Sequence, residues 1–427
     1  MMRFFYRVAF WTFAFCYLPF FFLKKKHKDN WKERFGQVPV KMAKELEGKK
    51  IIWVHAVSVG EVSLAIRLIG AIKEKYSGLS FVLTVTTSAG REAALKLKDD
   101  EDKVLYFPAD FGFSVRAFIK AVCPKALVIL ETEIWPNLID ELSRLAIPIF
   151  IVNARISDKA IAKYRWARVF MRRVLGRVTA IGAQDARMKE RFTAVGADSG
   201  RIQVTGNMKF DWQPQGGRSE VVDAVGRYYG SKPFLLIGGS THAGEETILL
   251  RIVQSLKKDH PSFKLLLAPR HLDRLDKIIK ETLEAGFTPV RASSLLEGAS
   301  HPVWDSGQVL ILDKIGILSA LYAIADAVFV GGSLVNVGGH NLVEPAYFEK
   351  PILHGPLMSN FLEMVEQFRD ERAAMEVGSA ADLELKLRGF LQNSEEARAM
   401  GQRAKTLVLK HQGATQKNIV LLKGVLT

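Results

Sequence analysis

Short apolar runs that alternate with amphipathic stretches constrain this chain more than any other feature. "IIWVHA" (51–56) reads as a buried strand, and "EVSLAIRLIGAIKEKY" (61–76) as a helix whose apolar residues recur three and four apart. The alternation continues with strands expected over 80–87, 104–110, 126–133, 148–155, 180–184 and 202–210, and helices between them. "DWQPQGGRSE" (211–220) then has Pro, a Gly pair and little hydrophobic content, as a linker would. A second series begins at "PFLLIGGS" (233–240) and continues through 264–270, 309–313, 327–333 and 351–355. Strands that alternate with helices imply parallel sheets covered on both faces. The expected fold is α/β, with two tandem Rossmann-like doubly wound domains over 29–210 and 233–427 and an interdomain linker over 211–232. Ligands bind outside the carboxyl ends of strands in such sheets. The chemistry is therefore expected where strands stop, around a cleft between the domains.

The N-terminus has a different character. "VAFWTFAFCYLPFFFL" (8–23) carries no charge in 16 positions, follows Arg3 and Arg7, and precedes "KKKHK" (24–28). As a helix it is about 24 Å long against a hydrocarbon core of about 30 Å. Lysines follow it instead of a small-residue cleavage site, which argues against a removed signal peptide. Residues 1–28 are read as an uncleaved membrane anchor, spanning or interfacial, with the lysines and the body of the chain on the cytoplasmic side. The net charge of +15 predicts attraction to something anionic. A basic, aromatic helix over 157–177, with Lys159, Lys163, Arg165, Arg168, Arg172, Arg173 and Arg177, is either a solvated face or a seat for a phosphorylated lipid. Nucleic acid is disfavoured, since the anchor restricts access and no recognition motif is present. Cys16 and Cys123 offer no disulfide framework.

The strand ends carry the candidate chemistry. In "HAVSVGE" (55–61) a strand ends near His55 and a helix opens near Gly60 and Glu61, with Gly60 expected to permit the tight turn. Ser58 and Glu61 have capping-box spacing, so Glu61 is either a helix-end carboxylate or a general base with His55 and Ser58 as orienting groups. "ETEIWPN" (131–137) ends a buried strand with two carboxylates, and strand alternation would send Glu131 and Glu133 to one side. "TGNMKFD" (205–211) supplies Lys209, which can hold a developing anion. "LLLAPRH" (265–271) ends in Arg270 and His271, and the planar guanidinium fork suits phosphate or carboxylate. "GGSLVNVGGHNLVEPA" (331–346) runs from a strand through a Gly-rich loop to a helix expected near Asn341. Such a loop lets backbone amides approach an anion, and Glu344 is placed to accept from ribose hydroxyls. It is neither a dinucleotide fingerprint nor a P-loop. "IGGSTHAGEE" (237–246) is a second strand-to-helix turn, with Ser240 as its contribution. The D-x-D within "KDDEDK" (98–103) reads as a solvated loop, and His and Cys show no zinc spacing, so no metal site is expected.

Taken together, "HAVSVGE", "ETEIWPN", "VNARIS", "TGNMKFD", "APRH" and "GGSLVNVGGHNLVEPA" resemble, in order and spacing, the 3-deoxy-D-manno-octulosonic acid (Kdo) transferases of lipid A assembly. The resemblance covers nearly the whole chain. It implies a two-domain glycosyltransferase of the GT-B type, with CMP-Kdo as donor substrate, the tetra-acylated, bis-phosphorylated lipid A precursor (lipid IVA) as acceptor, and no cofactor. By motif, Glu61 corresponds to the proton acceptor, and Glu131 and Lys209 to positions that stabilise the transition state. Pro269, Arg270 and His271, the segment Ile315, Gly316 and Ile317, and Gly338, Gly339, His340, Asn341, Leu342, Val343 and Glu344 correspond to the CMP site. Ile317 departs from the family, which often carries an acidic residue there. The competing readings are another sugar-nucleotide transferase or epimerase of this fold, and a non-catalytic membrane assembly protein.

Overall fold

The computed structural model describes residues 30–427 apart from 96, 98, 215–219, 231–233, 297–304 and 306. The expected membrane anchor at 1–28 lies outside the described residues. Among those described, no helix is long and apolar enough to cross a membrane.

The chain forms two units. The first contains β1 (Lys50–His55), β2 (Leu79–Val85), β3 (Lys103–Tyr106), β4 (Ala126–Leu130), β5 (Ile149–Ala154), β6 (Ala180–Ala183) and β7 (Ile202–Val204). They pair in parallel in the order β3-β2-β1-β4-β5-β6-β7. Because side chains alternate along a strand, each central strand feeds two cores. Ile51, Trp53, Leu127 and Ile129 enter one cluster, and Ile52, Val54, Val128 and Leu130 the other. Burial on both faces explains why these strands read as near-continuous apolar runs. Trp53 is fully buried, and its truncation to Ala would cost about 3–5 kcal/mol.

The last helix, Ala414–Leu426, belongs to this first unit. Ala414, Ile419, Leu422 and Leu426 pack into the same cluster as Val54 and Val62. Asp211 accepts hydrogen bonds from the amides of Gly413 (2.6 Å) and Ala414 (3.3 Å) and so caps that helix. The second unit therefore closes at His411 and not at 427, because the apolar face of 414–426 is buried against the first sheet.

The second unit contains β8 (Phe234–Thr241), β9 (Phe263–Pro269), β10 (Thr288–Arg291), β11 (Gln308–Ile311), β12 (Ala327–Val330), β13 (Ile352–His354) and β14 (Met375–Glu376), ordered β10-β11-β9-β8-β12-β13-β14. The segment read as linker contains a helix, Glu220–Tyr229, that is part of this unit. Its Val222, Val225 and Tyr228 are buried, and the Tyr229 hydroxyl donates to the Leu265 carbonyl at 3.0 Å.

Both sheets reverse their strand order at one place. In the first, the chain runs outward through β2 and β3 and returns to β4 beside β1; in the second, it runs through β9, β10 and β11 and returns to β12 beside β8. Crevices at such reversal points are where doubly wound folds bind ligands.

Candidate functional site

In the first unit the reversal point collects three carboxylates. Ser58 caps the helix Val59–Lys73, and its hydroxyl accepts from the Glu61 amide at 3.2 Å. Glu61 folds back: Oε2 accepts from the Val57 amide at 2.9 Å, and Oε1 from the Ser58 hydroxyl at 2.8 Å. The capping box and the site are thus one structure, because the bonds that start the helix also fix the carboxylate. Burial raises the Glu61 pKa above the usual carboxylate range, and the charge of Glu131 adds to the rise against the Val57 amide. Gly60 does not serve the expected tight turn. It lies inside the helix, is absent from the positive-φ positions, and a Cβ there would meet only Ser58 Oγ at 3.8 Å.

His55 does not orient Glu61. The buried ring stacks on Phe107 with centroids 4.0 Å apart, and Nδ1 lies 3.0 Å from Thr84 Oγ1. Burial lowers its pKa to about 3, so it is a neutral packing group.

β4 ends at Leu130, and Glu131 takes φ +57°, so the strand alternation expected to place Glu131 and Glu133 on one side does not extend to them. A non-glycine residue in this region is strained, and such strain gathers at functional sites. Its carboxylate lies 3.4 Å from Lys209 Nζ and 3.8 Å from Arg155 Nε. Burial pushes Glu133 up to about 7, helped by the negative charge of Glu61 and then of Glu131. Below that pH it is a neutral acid. Beyond this loop, Asp110 accepts from the amides of Asn137 (3.0 Å) and Leu138 (2.8 Å), anchoring the helix that begins at Pro136.

Lys209 lies not on a strand but in a 3-10 turn, Met208–Asp211, since β7 stops at Val204. Arg67 donates to the Met208 carbonyl (3.1 Å) and the Met208 amide to Asn153 Oδ1 (2.9 Å), which fixes the turn to the Glu61 helix and to β5.

In the second unit the ends of β8, β9 and β12 converge. Ser240 takes φ +54° at a register shift in β8, and the next two residues are Thr241 and His242. The Arg270 amide donates to the Thr241 carbonyl at 3.0 Å, joining Pro269, Arg270 and His271 to this turn. His242 and His340 meet Nε2 to Nε2 at 2.9 Å, and His271 stands edge-on to His242 at 5.5 Å. Glu245, fully buried, accepts from the amides of His242 (2.9 Å), Gly332 (2.7 Å), Ser333 (3.0 Å) and Leu334 (3.0 Å). It binds the two Gly-rich loops into one body. Gly338 and Gly339 have φ +101° and +76°, and a Cβ on Gly339 would lie 2.1 Å from Met358 Sδ.

The remaining sequence-selected residues divide. Asn341 caps locally, with Oδ1 accepting from the Val343 amide at 3.1 Å. The helix beyond spans only Val343–Tyr347, starting later than expected and too short for a large dipole. Leu342 and Val343 are buried core residues, so only their backbone is available to a ligand. Glu344 is half-buried, and its charge acts on buried Tyr322. Ile315 is 78% exposed, and Gly316 has φ +89° in the turn before Ile317. The D-x-D aspartate Asp102 pairs with Lys73 at 2.7 Å and accepts from the Phe81 amide, which gives it a structural role. Arg155, His242 and Glu245 were missing from the sequence-selected set, and Glu133 was noted there without a role. For His242 and Glu245 the signal was present in "STHAGEE", directly after a strand.

Comparisons with known proteins bear on the family and the fold. The family model described as 3-deoxy-D-manno-octulosonic-acid transferase (kdotransferase) matches residues 29–212. A 3-deoxy-D-manno-octulosonic acid transferase of Haemophilus influenzae is 32% identical over 88% of this chain and 87% of its own. One from Aquifex aeolicus is 31% identical over 82% and 88%. Among solved structures, a glycosyltransferase from Rickettsia africae matches with TM-score 0.58 at 13% identity, over 89% of this chain and 99% of that one. A UDP-GlcNAc 2-epimerase from Neisseria meningitidis matches with TM-score 0.57 at 13% identity, over 88% and 100%. These two share the fold, that of the GT-B glycosyltransferases. Its relatives in sequence make this chain a member of the 3-deoxy-D-manno-octulosonic acid transferase family, and therefore a glycosyltransferase.

Proposed function

We propose that this Kdo transferase moves Kdo from CMP-Kdo to the bis-phosphorylated, tetra-acylated lipid A precursor in lipopolysaccharide core assembly, with inversion and without a metal. The observation that carries the mechanism is the Glu61 carboxylate. It is held by Val57 and Ser58 at the reversal point of the first sheet, and burial raises its proton affinity. Glu61 takes the proton from an acceptor sugar hydroxyl as that oxygen bonds to the anomeric carbon of Kdo. The bond from that carbon to the phosphate oxygen breaks, and its electron pair leaves with CMP. Attack from the face opposite CMP inverts the configuration. Lys209, set against Glu131, supplies positive charge as the transition state develops, and Arg270 meets the nucleotide phosphate.

A lipid acceptor suits the basic helices of the first unit. The expected single helix is two, Asp158–Trp166 and Arg168–Leu175. Beside them lies a groove of about 700 Å³ lined by Ile134, Trp135, Tyr164, Trp166 and Phe170, starting one residue beyond Glu133. An adjoining groove is lined by Arg172, Arg173 and Arg177. The first fits acyl chains and the second the phosphates of the same molecule. The enzyme works at the cytoplasmic face of the inner membrane, held by residues 1–28 and by attraction of its basic surface to anionic lipid.

Incubation with CMP-Kdo and the lipid precursor, with products resolved by mass, tests the reading. The wild type adds Kdo, and Glu61→Gln still binds CMP but transfers nothing. Full activity of Glu61→Gln would remove the base from the mechanism, and transfer from a UDP-sugar instead of CMP-Kdo would overturn the donor.

A further inference from the structure

His242 and His340 lie 98 positions apart in sequence and meet nose to nose. Their rings are inclined by 10° with centroids 5.2 Å apart, and the two Nε2 atoms are 2.9 Å apart. In-line, nearly coplanar rings at this separation are joined by an N–H···N hydrogen bond. One Nε2 carries a proton and the other accepts it. Such a pair takes one further proton, on Nδ1 of the donating ring, without losing that bond. A second would put protons on both Nε2 atoms and break it. The pair is therefore built to alternate between zero charge and a single positive charge.

Its surroundings are charged on one side. His242 faces His271, Glu246, Arg274 and Arg270, and His340 faces Arg270 and His271. Glu246 is engaged by both arms of Arg274, at 3.0 and 3.1 Å, and Glu245 by four amides. Glu246 favours a charged His242 from a distance, but the oxygens of both carboxylates are engaged by these other donors. Burial and then Arg270 lower the His340 pKa to about 3, which keeps the empty pair neutral. Gly332 is part of the arrangement: at φ +65°, a Cβ there would come within 3.1 Å of the His340 ring and 3.3 Å of the His242 ring.

We propose that the His242–His340 pair takes up one proton from solvent when the nucleotide phosphate binds beside Arg270, so that donor-site occupancy in the second unit is coupled to protonation. This rests on the reading of that unit as the nucleotide site. A phosphate dianion supplies the counter-charge that the site lacks when empty. The captured proton leaves when the nucleotide leaves, so no oxidant, metal or further reactant enters the balance.

Calorimetric titration of the full-length protein with CMP, in buffers of contrasting ionisation enthalpy near pH 7.5, counts the protons. The wild type should take up about one proton per CMP, and its CMP affinity should fall about tenfold per pH unit between the pKa of the empty pair and that of the bound pair, levelling off above the latter. Cytidine, which lacks the phosphate, should bind with no uptake. His340→Gln and His242→Asn should each bind CMP about tenfold more weakly and with proton uptake near zero. CMP binding by the wild type without proton uptake, or unchanged uptake in both variants, overturns the proposal and leaves the nucleotide site standing. Absence of CMP binding by the folded wild type removes both.

Discussion

Lys209 Nζ lies 3.4 Å from Glu131 Oε1, and the two residues come from loops that follow different strands, one after the central β4 and one after the edge strand β7. Both side chains are about four-fifths buried, so the pair is screened less than a surface bridge would be. Removing the cation leaves only Arg155, at 3.8 Å, as the positive partner described for Glu131 beside Glu61 and Glu133. Lys209→Met should lower the turnover of Kdo transfer about 10²–10³-fold while leaving CMP affinity within about twofold. Single-turnover transfer and calorimetric CMP binding on the same preparation check this.

Glu133 predicts a pH-dependent stability. Its folded pKa is about 7 against an ordinary 4.5, so the folded state binds its proton more tightly. Stability contributed by this group is therefore present below about pH 4.5 and is lost as the pH rises through about 7. Glu133→Gln removes the loss. Relative to wild type, the variant should gain at most about 3 kcal/mol between pH 5 and pH 8, read as a difference in denaturation midpoint at the two pH values. An equal difference at both would contradict the burial of a charged carboxylate.

Glu245 holds two loops of the second unit through four backbone amides. Glu245→Ala leaves those donors buried without acceptors and should cost about 3–5 kcal/mol. Glu245→Gln keeps the shape but only part of the acceptor capacity and should cost about half as much. Thermal denaturation and CMP binding should decline together, since the same amides place His242 and Gly332.

Gly332→Ala tests the cradle of the histidine pair directly. The residue sits at φ +65°, where a side chain is strained, and the added methyl presses on both imidazoles. CMP affinity should fall about tenfold, with loss of proton uptake, and a circular dichroism spectrum like that of wild type separates this from misfolding.

The basic helices of the first unit, proposed above to meet lipid, predict a salt-sensitive association. Trp166 is 93% exposed beside Lys163 and Arg165. Trp166→Ser should weaken binding to anionic vesicles at every salt concentration, whereas Arg165→Gln with Arg168→Gln should weaken it at low salt and have little effect at high salt. Co-sedimentation with vesicles of graded anionic lipid content measures both.

The central strands were legible because burial on both faces makes them apolar throughout, as in "IIWVHA" and "KLLLAPR". β10 was not, since its Thr288 and Arg291 are exposed and Pro289 interrupts it; β14 has only two residues. Ser58 and Glu61 announced the capping box, and that box proved to hold the candidate base. The relative placement of Glu131 and Glu133 was misread, because strand alternation says nothing once a residue turns into the left-handed region. The His242–His340 contact was invisible for a different reason: no local pattern joins residues 98 positions apart, and only the neighbouring placement of β8 and β12 brings them together.

The helix Ala414–Leu426 completes a core whose other members lie before residue 211. Translation delivers it only after the whole second unit has been made. The first unit consequently waits on the ribosome with the apolar surface around Met208, β5, β6 and the helix Val59–Lys73 uncovered, while the second unit, continuous in sequence, is free to close first. An early stop after His411 would thus injure the half of the enzyme that was synthesised first.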